Sequence, residues 1–478
     1  MANEEKKFVT ELADINEDLS QWYTDVITKA DLCDYGPVKG TMVIKPYGFE
    51  IWEHIKEYLD LEFKKVGSKN AYFPMFIPES FLKKEAEHVE GFAPEVAVVT
   101  YAGGQELSEK LIVRPTSETI IGEMFSKWIK SYRDLPMIMN QWCNVVRWEK
   151  STRPFLRTSE FLWQEGHTVQ PTEKDAVDNT IKMLEIYVKM CRELLGIPVL
   201  SGKKTEREKF AGAVDTYGIE ALLRDGKCLQ AGTSHYLGQN FAKAANIKFL
   251  DSDGEWKYGY TTSWGVSTRL IGAVVMVHGD ERGIKLPPKI APIQVVIVPV
   301  AQHKEGVLEN AQKLTEKLKN AGLRVELDDR NQSAGWKFNE WEMKGVPLRL
   351  ELGPRDIENN SVMVSRRDTH EKNSYSFDNI EMTVKNVLDE IQENLYRQAL
   401  GYIENNSQNV STIEEMVDCI NNKHVAMAYH CGDEDCETSI KNETGIQSRV
   451  IICDATGDEK CIKCGKKAKH KAYFAKQY

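Results

Sequence analysis

No apolar run in this chain approaches the roughly 20 residues that a membrane-spanning helix requires. The start, Met1-Ala2-Asn3-Glu4-Glu5-Lys6-Lys7, also lacks the apolar core of a signal peptide. These two absences make a cytoplasmic chain without a membrane partner the expectation. An excess of positive charge is missing as well: Lys and Arg total 62 against 72 Asp and Glu, a formal net charge of −10. That sign argues against generic nucleic-acid affinity, yet charge acts locally and one basic face still collects phosphates. The stretch from Lys460 to Lys476 is either such a face or a solvated end. Internal repeats and low-complexity tracts are absent too. What is present is 478 residues with 41% hydrophobic content, enough for two or three domains with ordinary cores.

Ten cysteines in a chain of this kind argue for thiols rather than a disulfide framework. Cys33, Cys143, Cys191 and Cys228 are scattered, as isolated buried thiols are. Cys431-x4-Cys436 and Cys461-x2-Cys464 are different, because two close pairs separated by a loop bring four thiolates round a tetrahedral zinc. Cys419, Cys453, His424 and His430 lie nearby as further candidate ligands. Four protein ligands leave no open position, so this zinc is structural. It can contribute about 10–16 kcal/mol to a small module, and the last eighty or so residues are expected to need it to fold.

Hydrophobic periodicity divides the chain into residues 1–288, 289–400 and 401–478. The first region mixes aromatic-rich strands with helices, one from Gly48 to Val66 with Ile51, Ile55, Leu59 and Phe63 at four-residue spacing. Another helix starts at the capping box Thr172-x-x-Asp175 and stops at Gly196 and Pro198. The linker Leu286-Pro287-Pro288-Lys289 closes the region. In the second, Ile293 to Val298 reads as a strand buried on both faces. Strand and helix then alternate to Glu351, which predicts a small α/β layer with a mostly parallel sheet. The third region holds the paired cysteines.

The stretch from Asn144 to His167 carries the most chemistry. Val145-Val146-Arg147-Trp148-Glu149 and Arg157-Thr158-Ser159-Glu160-Phe161-Leu162-Trp163 read as two strands joined by Lys150 to Pro154, with Arg147 and Glu149 on one face. Arginine suits bidentate contact with phosphate or carboxylate, although Arg147 and Glu149 can equally pair with cross-strand charges. Thr116 and Glu118, in Ile112-Val113-Arg114-Pro115-Thr116-Ser117-Glu118-Thr119, read as a helix cap and its capping-box partner or as ligand groups. Arg269 opens an apolar helix from Leu270 to Val277, a place that favours anions.

The order Arg147-x-Glu149, loop, Arg157-x-x-x-Phe161 resembles motif 2 of the class II aminoacyl-tRNA synthetases. Ser263-Trp264-Gly265-Val266-Ser267-Thr268-Arg269 resembles motif 3, and the helix from Gly48 with Ala71-Tyr72-Phe73-Pro74 resembles the looser motif 1. Arg114-Pro115-Thr116-Ser117-Glu118, Gln230-Ala231-Gly232-Thr233-Ser234-His235 and the run from His278 to Pro288 resemble the prolyl-tRNA synthetases in particular. The cysteine module and Tyr478 resemble the archaeal and eukaryotic-type members, and the likeness covers nearly the whole chain.

That resemblance implies an α+β catalytic domain with the class II antiparallel sheet, an α/β anticodon-binding domain and a small zinc-binding α/β domain. It implies ATP-dependent attachment of L-proline to tRNA(Pro) through a prolyl-adenylate, with Mg²⁺, and a homodimer. Arg147 and Arg269 become the catalytic pair. Thr116, Glu118, Arg147, Phe210 and His235 would bind proline. Arg147, Glu149, Arg157, Phe161, Gln230, Thr233, Ser267 and Arg269 would bind ATP. Glu342, Arg349 and Arg355 would read the anticodon, although the family commonly has lysine where Arg355 stands. Bacterial-type relatives insert an editing domain between motifs 2 and 3. Here Leu162 to Val266 is taken up by the helix and pocket segments, so no editing in cis is expected. A hydrophobic pocket separates ligands differing by one methylene by only about 1–3 kcal/mol, so alanine and cysteine are expected to be misactivated. A synthetase-like binding protein, or a class II enzyme for threonine, serine or glycine, would share much of this pattern.

Overall fold

Three sheets of seven, five and four strands follow one another along the chain. The computed structural model describes residues 12–86 and 95–478, so the Met1–Lys7 segment read for a signal core lies outside the described residues. Among the described residues no helix is long and apolar enough to cross a membrane.

The first sheet contains β1 (Lys69–Asn70), β2 (Met137–Val146), β3 (Glu160–Gln170), β4 (Leu200–Lys203), β5 (Asp215–Leu222), β6 (Cys228–Gly238) and β7 (Tyr260–Ser267). Their spatial order is β1-β2-β3-β7-β6-β5-β4. Only the β1–β2 contact is parallel. Five helices of this region matter here: α1 (Leu19–Lys29), α2 (Pro46–Lys65), α3 (Glu118–Trp128), α4 (Glu173–Glu193) and α5 (Arg269–His278). The four-residue stripe of α2 is buried as its spacing predicts. Thr172 caps α4 by accepting the Asp175 N–H at 3.1 Å, and α5, apolar on all sides, is enclosed from Leu270 to Met276.

One face of this sheet is sealed by aromatic packing. Phe63 of α2 meets Tyr187 of α4 at 6.3 Å and Trp264 of β7 at 5.9 Å, and each large apolar side chain buried this way stabilises the fold by about 1.5–3 kcal/mol. Gly166 lies opposite Trp264 in the β3–β7 register, and a Cβ there would stand 2.1 Å from the indole. Only glycine lets the ring cross the strand. Gln164 faces the same side, hydrogen-bonded to Tyr187 at 2.6 Å. The odd-numbered residues of β3 therefore face the other way.

The ladder departs from the sequence reading in motif 2. Pairing ends at Val146 and resumes at Glu160, so Arg147, Glu149 and Arg157 lie in the connection rather than on strands. Pro154 and Phe155, the latter at φ 60°, break the extended run. The Trp148 N–H turns to the Glu95 carbonyl (3.1 Å), while the Arg147 N–H still reaches Ser159 (2.8 Å).

The second sheet contains β8 (Val295–Pro299), β9 (Val325–Leu327), β10 (Leu348–Leu352), β11 (Ser361–Arg366) and β12 (Lys372–Ser376), ordered β9-β8-β10-β11-β12. Every residue of β8 is buried, as its β-branched run predicts. The sheet is mixed rather than mostly parallel: β8 runs parallel to β9 and β10, and the hairpin β11–β12 adds two antiparallel contacts at one edge. Its helices are α6 (Val307–Asn320), α7 (Ala334–Met343) and α8 (Ile380–Asn405). Helix α8 runs on past Gly401 into the third region. There β13 (Ser407–Asn409), β14 (Val425–His430), β15 (Gln447–Asp454) and β16 (His470–Ala475) stack in the order β13-β14-β16-β15, with α9 (Ile413–Asn421) and α10 (Glu434–Thr444).

Candidate active site

The open face of the first sheet forms the floor of a cavity of about 490 Å³. Phe161, Trp163, Glu165 and His167, alternate residues of β3, all line it. The register continues their rows across the sheet: Glu165 pairs with Gly265, which pairs with Thr233, and His167 pairs with Ser263, which pairs with His235. Of the residues assigned to proline or ATP, Thr116, Glu118, Arg147, Phe161 and Phe210 line this cavity. So do Gln230, Thr233, His235, Ser267 and Arg269. Glu149 and Arg157 do not line it. They stand near enough for their charges to act on Arg269, and Arg157 is exposed.

A buried line of charge lies in the wall of this cavity. His167 Nδ1 lies 3.3 Å from Glu118 Oε2, and its Nε2 lies 3.1 Å from Glu165 Oε2. Burial pulls the imidazole down, but Glu118 and then Glu165 outweigh it and raise its pKa to about 10. Burial likewise opposes the Glu165 charge, yet His167 and Ser117 hold that carboxyl at about 2. Glu165 also accepts the Ser117 N–H at 3.0 Å and the Gln141 amide at 3.1 Å. His167 is thus an imidazolium between two carboxylates, and the three groups carry one net negative charge. Glu118 opens α3, whose N-cap position is Ser117; Thr116 instead uses its hydroxyl to accept the Glu118 N–H at 3.3 Å. Beside this line His235 is neutral, lowered to about 3 by burial and then by the charge on His167. Its ring stands 4.8 Å from Phe210 and its Nδ1 3.0 Å from the Thr216 hydroxyl. An anionic floor with flat apolar walls suits a small ring that carries a positive nitrogen.

Arginines line the same cavity, and Arg147 stands close enough to Glu165 for their charges to act on each other. Arg147 donates to the Pro115 carbonyl at 3.0 Å, with its guanidinium 5.5 Å from the Phe161 ring and 5.3 Å from that of Trp163. Arg269, the first residue of α5, donates to the carbonyls of Leu156 (2.9 Å) and Gln230 (3.2 Å). Burial, then Arg157, then Arg147, lowers Arg269 to about 10. Among the described residues these guanidiniums rest on carbonyls and rings and none has a carboxylate in salt-bridge contact. Such an array is matched by a polyanion.

Two further groups lie apart from this cavity. Glu342 of α7 and Arg349 of β10 form a 3.0 Å ion pair, and the Arg349 guanidinium sits 4.0 Å over Phe338. Arg355, on the short helix Pro354–Glu358, is exposed and makes no ion pair with either. In the third region the ligating atoms of Cys431, Cys436, Cys461 and His430 lie within 4.8 Å of one another. Cys464 Sγ stands 3.8 Å from Cys431 Sγ, so the four paired cysteines converge and the donor set fits zinc. His430 alone of the spare candidates joins them. Its Nδ1 already accepts the Gly432 N–H at 3.0 Å. Cys419 lies in the module's apolar core, Cys453 is exposed at the end of β15, and His424 hydrogen-bonds Gln408.

Residues 99–278 match the tRNA synthetase class II core domain (G, H, P, S and T), residues 294–394 the anticodon binding domain, and residues 413–478 the prolyl-tRNA synthetase C-terminal domain. A proline–tRNA ligase of Alkaliphilus oremlandii is 58% identical over 481 residues, 100% of both chains. The chain belongs to the proline–tRNA ligase family. Another member, proline–tRNA ligase 2 of Clostridioides difficile, is 54% identical over 100% of both chains. The solved prolyl-tRNA synthetase of Cryptosporidium parvum, complexed with halofuginone and AMPPNP, superposes with a TM-score of 0.93 at 41% identity, covering 98% of this chain and 96% of that one.

Within this proline–tRNA ligase fold, Trp163, Glu165 and His167 line the cavity although no short motif marks them. Their signal was present: continuing the period-two face from Phe161 along β3 reaches all three. Ser117 and Gln141, which hold Glu165, had no such signal, because they come from a helix start and a neighbouring strand.

Proposed function

We propose that this chain joins L-proline to tRNA(Pro) in two steps. The proline carboxylate attacks the ATP α-phosphorus and expels pyrophosphate, and the terminal adenosine hydroxyl of the tRNA then takes the prolyl group from the adenylate. Glu118 and Thr116 hold the ring nitrogen, and Phe210 and His235 wall the ring. Arg147 holds the proline carboxylate and the α-phosphate, with Glu149 orienting it. Arg157 and Arg269 hold the distal phosphates, Phe161 lies under the adenine, and Gln230, Thr233 and Ser267 complete the nucleotide contacts. Mg²⁺, when bound with ATP, adds charge neutralisation on the phosphates. The arginines act in the first step by stabilising charge that grows on phosphate oxygens, with no protein nucleophile. The observation that carries this reading is one cavity lined both by the Glu118–His167–Glu165 line and by Arg147 and Arg269. ATP–pyrophosphate exchange against proline, threonine, serine and glycine tests it. Exchange only with proline is expected, and exchange with none would leave a binding protein.

The same reading takes 1–288 as catalytic, 289–400 as anticodon-binding and 401–478 as zinc-binding, in a cytoplasmic homodimer. Glu342, Arg349 and Arg355 read anticodon bases, since arginine and carboxylate side chains match base edges. Leu61 on α2 and Tyr72 after β1, 55% and 75% exposed, are apolar surface of motif 1 that a second copy would cover.

Cys431, Cys436, Cys461 and Cys464 hold a structural zinc in this proposal. Its removal by a strong chelator is expected to unfold the third region, since about 10–16 kcal/mol of binding free energy goes with it. Loss of one zinc per chain together with a lowered melting temperature checks this, and an unchanged melting temperature after metal loss would refute it.

Between β3 and β7 the chain contributes α4 and three more strands of the same sheet, and the proposal therefore includes no deacylation in cis. Purified protein is expected to leave Ala-tRNA intact while activating alanine and cysteine weakly; rapid hydrolysis of Ala-tRNA would refute it.

A further inference from the structure

A second buried charge cluster joins the catalytic region to the anticodon-binding region. Helix α5, which begins with Arg269, ends at His278, and Gly279 leads to Asp280, only 5% exposed. Arg367, in the turn between β11 and β12, grips this carboxylate with both terminal nitrogens, at 2.7 and 2.6 Å. Lys285 and His370 approach the same group at 3.1 and 3.3 Å. Although Asp280, Glu281 and His370 stand within metal-ligand distance of one another, the cations already on Asp280 leave no room for a metal ion.

The remaining nitrogen of the fork decides what Arg367 does. Its Nε donates to the main-chain carbonyl of Glu342 at 2.8 Å. Around it the loop after Asp280 is stitched to the end of α7, with Ile284 N–H to Met343 O and Leu286 N–H to Gly345 O, each 3.1 Å. Gly283, at φ 132°, has the Met343 backbone 2.5 Å from where a Cβ would be, so only glycine permits the approach. One guanidinium therefore binds at once the loop that ends the Arg269 helix and the backbone of a residue assigned to the anticodon.

We propose that Arg367 is a positioning residue for tRNA charging, holding Glu342 at a fixed distance and orientation from the active site through Asp280. The inference rests on the assignment of Glu342 to the anticodon. A buried bidentate ion pair is a weak source of stability but a strong constraint on geometry. Its removal misplaces the anticodon contact relative to the reacting end of the tRNA, and small misplacements of this kind are costly in rate. Amino-acid activation does not need the constraint, because Arg269 is anchored independently by Leu156 and Gln230.

Arg367→Met removes the fork and leaves Asp280 with its Lys285 ion pair and the His370 hydrogen bond. It is to be compared with the wild type in proline-dependent ATP–pyrophosphate exchange and in charging of a tRNA(Pro) transcript and an anticodon-substituted transcript. Expected are exchange within about threefold of wild type and a charging kcat/KM lower by about 10- to 100-fold. The preference for the native anticodon should fall by a similar factor, with Arg367→Lys, which keeps charge without the fork, lying between. Exchange and charging that fall in parallel, or charging that does not change, would overturn the proposal. Should Arg367→Met fail to fold, Arg367→Lys carries the same test. A Glu342→Gln variant separates the two levels. If it keeps full anticodon preference, the Glu342 assignment fails and the clamp with it; if it loses preference while Arg367→Met keeps it, only the clamp fails.

Discussion

Arg269→Ala is expected to reduce proline-dependent ATP–pyrophosphate exchange by about 100- to 1000-fold, the range seen when a single preorganised donor to a developing negative charge is removed. The side chain is set before any ligand arrives: two carbonyls fix its Nε and one terminal nitrogen, and it begins α5, where main-chain N–H groups also favour an anion. Arg157 and Arg147 repel it, and the charges of Glu220 and Glu149 offset this only in part. A triphosphate removes that repulsion. The loss should therefore fall on kcat and on ATP affinity together, while the affinity for proline, which the proposal places at Glu118 and Thr116, changes little. Steady-state exchange with ATP and proline varied separately checks this. A proline KM that rises as steeply as the ATP KM would show that Arg269 serves proline binding as well.

Glu118→Ala is expected to abolish proline-dependent exchange while ATP still binds. Truncating one partner of a buried hydrogen-bonded charge pair between protein and ligand costs about 2–5 kcal/mol of binding, on the order of 30- to several-thousand-fold in affinity at about 1.4 kcal/mol per tenfold. The reason lies in the count of charges. Glu118 and Glu165 outnumber His167; without Glu118 the proposed site for the cationic ring nitrogen loses one of its two carboxylates and keeps the His167 charge. The same change alters the pH dependence of stability. His167 has its pKa raised from 6.5 to about 10, so its contribution is fully present below about 6.5 and is lost as pH rises through about 10. In Glu118→Ala that upper limit moves down, since the largest raising influence is gone. Nucleotide binding by calorimetry and thermal melts from pH 6 to pH 10.5 measure both effects. Retained exchange with proline would remove Glu118 from the pocket.

How far the site could be read in advance depended on whether a residue's task is local. Arg147, Phe161 and Arg269 belong to short motifs with fixed spacing, and the apolar periodicities of α2, α4 and β8 announced those elements. Alternation through Arg147 and Glu149 predicts longer strands in motif 2, whereas the pairing stops at Val146 and Glu160, and the chain turns through Pro154 and Phe155 inside an Arg153–Arg157 bridge. The middle sheet was expected to be mostly parallel because strand and helix alternate up to Glu351; the hairpin that follows adds antiparallel edges. Of the proposed anticodon residues only Glu342 and Arg349 meet, since Arg355 sits on a separate short helix.

The amino-acid order by itself determined the buried stripes of α2 and β8 and the thiol pairs that converge in the third region, because periodicity, turn chemistry and ligand spacing act over a few residues. Only the tertiary structure decided that His167 stands charged between Glu118 and Glu165, that Arg147 and Arg269 share one cavity, and that Arg367 reaches from one sheet region to the loop of another. Those facts depend on Coulomb forces and desolvation between groups far apart in the chain. Such forces fall off with distance through space and are blind to distance along the sequence.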